Sequence, residues 1–194
     1  MRRIGSAIAV LVLTGTAMGA AAGSAGAAPV ADARTAAAAC PTGWGSGLKG
    51  VPSSGAAPLT DVRTGRHDCF DRMVFDVPGG GDDIGYYIQY VDRLHQAGSG
   101  DHIPVGGGAI LEVRIAAPSY DPETGEPVYD ADVAKPLPGV DITGYRTFRD
   151  TRFAGSFEGE TQIGLGVRAR LPFRVIQLSD RLVVDVAHSW TTSR

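Results

Sequence analysis

A chain of 194 residues with a net charge of −3 has the length of one domain and enough bulk to bury a core. Its mildly acidic balance excludes an overall electrostatic pull toward nucleic acid or anionic lipid. Cys40 and Cys69 are the two cysteines, Lys49 and Lys135 the two lysines, and every other strong base is arginine.

Arg2 and Arg3 precede an apolar run from Ile4 to Ala22, and Ala25-Gly26-Ala27 places small residues at its exit. This is the pattern of a secretory signal peptide over residues 1–27, removed by cleavage after Ala27. Its strongly apolar part, Ile8 to Leu13, is far short of the roughly 20 residues that span a bilayer, so no membrane span is expected. The remaining 167 residues, with net charge −5, would be secreted or held at the cell wall. Residues 28–39, almost all Ala, Pro and Val, read as a flexible leader. In an oxidising compartment Cys40 and Cys69 read as a disulfide that contributes about 3.5 kcal/mol by closing a loop of about 30 residues. A lipid-modified Cys40 is disfavoured, because Asp32 and Arg34 separate it from the apolar run and Cys69 would be orphaned. Residues 40–58, with glycines crowded around Trp44, read as a loop stapled by that bond, with the indole packed on the domain rather than offered to a ligand.

From Leu59 onward the apolar residues alternate with a period of two, which specifies strands. Strands are expected at residues 60–65 and 66–77, at 85–91 with Tyr86, Ile88 and Tyr90 on one face, and at 109–116 with Leu111, Val113 and Ile115 opposing Glu112 and Arg114. Asp92 to Gln96 could form one helical turn. Residues 118–144, carrying many prolines and scattered acids, form a long insert with little strand or helix signal. Residues 145–157 and 162–169 are further strands, and Leu171 to His188 is a hairpin turning at Ser179-Asp180. The pattern specifies an all-β domain over residues 59–190, an antiparallel β-sandwich of about eight short strands with little helix.

No chemical motif dominates. His67, His95, His102 and His188 lack zinc spacing, and no nucleophile elbow accompanies Ser189. The insert's Asp121, Glu123, Glu126, Asp130 and Asp132 lack the spacing of a calcium loop and read as solvated acids, so no metal or other cofactor is implied. The letters Gly164-Leu-Gly-Val-Arg-Ala169 match a dinucleotide fingerprint, but strand residues and Pro172 follow where a helix should begin. The arginines are more suggestive. Arg146, Arg149, Arg152, Arg168, Arg170 and Arg174, with Tyr145, Phe148 and Phe153 interleaved, would make a carboxylate-binding basic patch if the sheet gathers them. The plainer reading is a set of surface ion pairs.

Phe70 to Val77 and Pro172 to Val186 resemble the first and last strand signatures of AMIN and AMIN-like domains, over a span from about Leu59 to His188. The resemblance implies a β-sandwich that binds peptidoglycan, without an attached amidase or secretin domain here and with no family site residue to carry over. The expected function is therefore a secreted, non-enzymatic module binding peptidoglycan through Tyr145 and the arginines. Alternatives are an exported cell-wall hydrolase using His67, Asp68 or His188, and an accessory protein that pairs with another exported chain through a sheet edge.

Overall fold

A computed structural model describes residues 40, 43–52 and 57–190; the expected signal peptide and leader lie outside the described residues. Within these the chain forms eleven strands: β1 (Lys49–Val51), β2 (Asp61–Arg66), β3 (Phe70–Asp76), β4 (Tyr86–Val91), β5 (Leu94–His95), β6 (His102–Ile103), β7 (Ala109–Ile115), β8 (Phe148–Phe157), β9 (Glu160–Val167), β10 (Phe173–Leu178) and β11 (Arg181–Ala187). A five-stranded sheet ordered β1-β4-β7-β9-β8 packs on a four-stranded sheet ordered β10-β11-β3-β2, and every pairing is antiparallel. The sandwich expected from alternation is present. Met73 and Phe75 of β3, with Leu182, Val184 and Val186 of β11, meet Ile88, Leu111, Val113, Ile163 and Leu165 from the other sheet in one buried cluster. Strands of this kind hold together because each places every second side chain on the same face.

Three short strands were not visible as periodicity. β1, β5 and β6 have two or three residues each, too few to show alternation. Asp92 to Gln96 is accordingly no helical turn: Leu94 and His95 pair with Ile103 and His102 in a separate two-stranded ribbon.

That ribbon and the segment after it lie across the outer face of the five-stranded sheet, where Leu94, Ile103 and Ala154 make a second small core. The approach is close enough to require glycine beneath it. A Cβ at Gly164 would stand 2.4 Å from Leu94 Cδ2, and one at Gly166 would stand 1.8 Å from the Gly106 carbonyl oxygen. The glycines that imitated a nucleotide fingerprint are therefore packing residues in β9.

The two open sides of the sandwich are closed by chain outside the sheets. On one side the 118–144 insert sends Tyr129 and Leu137 into the main core, and Phe153 of β8 donates to Lys135 O and accepts from Ala134 N. On the other, Phe173 N donates to Gly45 O, and the Lys49 ammonium sits 4.6 Å from the Phe173 ring centroid before its strand joins β4. Gly166→Ala is expected to lower stability by about 1–3 kcal/mol through overpacking, a fall in melting temperature of roughly 3–10 °C by circular dichroism. An unchanged melting temperature would show that the close approach can relax freely.

Candidate functional site

One end of the sandwich gathers the loops at residues 66–69, 145–147, 168–172 and 188–190, because β2, β9 and β11 finish there and β3, β8 and β10 begin there. Those loops carry Arg146, Arg168 and Arg170, and Arg149 follows at the start of β8; all are exposed. Among the described residues none of these four arginines forms an ion pair with a carboxylate. Their partners are backbone carbonyls and rings. Arg146 donates to Asp68 O at 3.2 Å, Arg149 to Phe148 O at 2.7 Å and Arg146 O at 3.0 Å, and Arg168 to His188 O. Arg170 lies 5.2 Å from the Tyr90 ring centroid. A carbonyl satisfies a guanidinium N–H without cancelling its charge, so the end stays positive. The opposite end, formed by the β3–β4, β8–β9 and β10–β11 connections, carries Asp82, Asp83, Glu158 and Asp180.

Aromatic surface accompanies the charge. Tyr145 stacks on Phe148 with ring planes 5° apart, and Trp190, 54% exposed, donates through Nε1 to Arg170 O at 3.0 Å. A cleft of about 460 Å³ opens beside Arg170, lined also by Tyr90, Asp92, Val105 and the Gly107-Gly108-Ala109 backbone. Tyr90 accepts from Leu171 N and donates to Leu171 O, and burial pushes its phenol up to about 12, so it stays neutral.

Beneath this surface lies a buried carboxylate. Asp71 Oδ2 accepts from Thr147 N and Phe148 N, while Oδ1 stands 3.1 Å from His188 Nε2. His188 Nδ1 faces the Asp68 carbonyl oxygen at 3.1 Å, and because a carbonyl only accepts, Nδ1 carries a hydrogen. His188 N donates to Cys69 O, and Cys69 is bonded to Cys40, so the disulfide expected from the sequence anchors the same end.

Two of the sequence-designated arginines stand apart. Arg152 pairs with Asp150 at 3.0 Å on β8. Arg174 shares the fully buried Asp185 with Arg72 on the outer face of the four-stranded sheet, at 2.8 and 2.7 Å, and lies 4.4 Å from the Trp44 ring centroid. Trp44 is thus packed, edge-on to Phe70. His67 stacks on the other aromatic neighbour of that group, Phe70, with centroids 4.5 Å apart. Asp76, on the same sheet face, takes Arg63 and Arg181, and the Arg63 hydrogen bond above all holds its carboxyl below the usual range. Sequence reasoning missed Trp190 and the part played by Asp71. Neither carries a local signal: one lies beyond the last strand, and the other reads as an ordinary charge in an alternating run.

A family model for the AMIN-like domain matches residues 57–188. The chain belongs to the AMIN-like domain family. No curated protein and no solved structure matches it. The match covers β2 to β11, the insert and the arginines at the end of the sandwich, and stops at His188. Cys40, Trp44 and β1 precede it, so the disulfide strap is an addition to the AMIN-like domain as matched. Among the described residues no helix is long and apolar enough to cross a membrane, and no cluster of three or more His, Cys, Asp or Glu is placed to hold a metal ion.

His188→Leu leaves Asp71 buried without its side-chain partner and is expected to cost about 3–5 kcal/mol in urea unfolding; a loss below about 1 kcal/mol would show that the pair does not tie this end together. For Asp76 the folded carboxyl is depressed, so its stabilisation is complete above the unfolded value near 3.9 and disappears as pH falls through the folded value. Asp76→Asn should flatten the acid limb of the stability–pH curve and leave the neutral region's slope unchanged, as read from urea midpoints at a series of pH values.

Proposed function

We propose that this AMIN-like protein is a secreted, non-enzymatic module that binds cell-envelope polymer, peptidoglycan first of all, through its arginine-rich end. The observation that carries the reading is the gathering of Arg146, Arg149, Arg168 and Arg170, none paired with a carboxylate among the described residues, on an otherwise acidic chain. Their remaining N–H groups can form two-pronged bonds with the carboxylates of stem peptides, and Tyr145 and Trp190 offer apolar faces beside them. Membership of the AMIN-like family supports a cell-wall association.

The hydrolase alternative is weakened by the same geometry. A general base needs a ring nitrogen exposed to substrate. Both nitrogens of His188 are engaged and its side chain is 8% exposed, so that ring is closed to substrate; His67, stacked on Phe70, and Asp68 are exposed.

Purified protein incubated with isolated sacculi should pellet with them at low salt, and several-fold less at about 0.5 M salt, where exposed charges are screened. The triple variant Arg146→Glu, Arg168→Glu, Arg170→Glu, verified as folded, should lose about tenfold or more in affinity. Wild-type protein that stays in the supernatant at low salt would overturn the proposal.

A further inference from the structure

Two histidines face each other across the β5–β6 ribbon. His95 and His102 are directly opposed in the strand register, and on the next rung Gln96 N donates to Asp101 O at 2.9 Å. Hydrogen-bonded and non-hydrogen-bonded pairs alternate along an antiparallel ladder, so the histidines occupy a non-hydrogen-bonded position, where opposed side chains stand closest. Their ring centroids are 5.7 Å apart, with the planes tilted by 53°. Alternation also fixes the side: Leu94 and Ile103 point into the second small core, which turns both imidazoles out to solvent.

His95 is held at both ring and backbone. Its Nδ1 lies 3.0 Å from the Gly100 carbonyl oxygen; a carbonyl only accepts, so Nδ1 carries the hydrogen and Nε2 keeps its lone pair. Gly100, at φ +77°, takes the left-handed conformation that brings this carbonyl back toward the ring. The His95 carbonyl accepts from Gln162 Nε2 at 2.9 Å, and Ala97 N donates to Gln162 Oε1 at 2.8 Å, so one amide of β9 clamps the ribbon on both sides of Gln96. Among the described residues the His102 ring meets His95 and has no hydrogen-bond partner.

We infer that His95 and His102 form a two-imidazole site for a divalent transition-metal ion, copper(II) before any other. A histidine that ligates a metal has its other ring nitrogen fixed by a carbonyl or a carboxylate, as His95 has. The donor set then selects the ion. Two nitrogens and no oxygen ligand exclude calcium and magnesium. Zinc sites draw three or four ligands from the protein, one or two more than this pair supplies. Copper(II) stands highest in the affinity order for nitrogen donors, and its tetragonal geometry takes two neighbouring imidazoles with water in the remaining positions. Because the ribbon is already clamped, binding orders little beyond the His102 ring. No arginine takes part, so the site is independent of the polymer-binding reading.

The test titrates copper(II) into the purified protein, followed by calorimetry and electron paramagnetic resonance. One equivalent should bind saturably, with hyperfine structure from two nitrogens. His95→Ala and His102→Ala, whose melting temperatures without metal should match wild type, should each bind about tenfold or more weakly. The double variant should be scarcely worse than either single one, because one imidazole alone does not hold the ion. His67→Ala should bind as wild type does, and zinc(II) should bind wild type more weakly than copper(II). Absence of saturable copper binding, binding that survives His102→Ala, or zinc held as tightly as copper would each overturn the inference. Copper binding at these histidines without pelleting on sacculi would uphold this site and remove the arginine-based reading; the converse result would do the reverse.

Discussion

The carboxylate of Asp71 is the contact on which the candidate site depends. It belongs to β3 in one sheet, accepts two backbone N–H groups from the start of β8 in the other, and faces His188 just beyond β11. A charge with no exposed surface is tolerated in an interior only when its lone pairs are occupied, and here each oxygen has a partner. The residues it fixes, Thr147, Phe148 and His188, are chain neighbours or hydrogen-bond partners of Arg146, Arg149 and Arg168. The arginines are therefore presented from backbone locked by a buried group, not from free loops.

A second carboxylate organises the opposite face of the same sheet. Asp185 is buried beneath Arg72 and Arg174, and the Arg174 guanidinium then stacks on Trp44. Together with the Cys40–Cys69 bond and the hydrogen bond from Phe173 N to Gly45 O, this ties the N-terminal strap to the sandwich at several points. The strap contributes β1, whose Gly50 pairs with Tyr87 of β4. One covalent link at the arginine-rich end thus also holds the segment that supplies the edge strand of the far sheet.

The sandwich was legible because Met73, Phe75, Leu111, Val113, Ile163 and Leu165 alternate over runs long enough to fix a face. The disulfide was legible from an even cysteine count beside an N-terminal stretch that reads as an export signal. Elements of two or three residues were not, since Leu94 and Ile103 show no period of their own. The arginine set was half legible: spacing placed the residues on neighbouring segments, yet whether a guanidinium meets a carboxylate depends on cross-strand register. That register gives Arg174 an acid in Asp185, whereas Arg146, Arg168 and Arg170 lie in the connections beyond the ladders, where backbone carbonyls and the Tyr90 ring are the partners seen among the described residues. Cross-strand neighbours were invisible for the same reason, as Tyr87 and Arg114 are 27 residues apart in sequence and adjacent only in the sheet.

The insert's seam along β8 bears on how the sandwich avoids pairing with copies of itself. Lys135 and Ala134 occupy backbone groups of Phe153 that would otherwise face outward, Gly45 does the same beside β10, and β2 carries Asp61, Arg63 and Arg66 along its length. Unpaired strand borders are where β proteins recruit copies of themselves into fibres. With these borders blocked or charged, little open backbone is left along them for a second copy to extend either sheet.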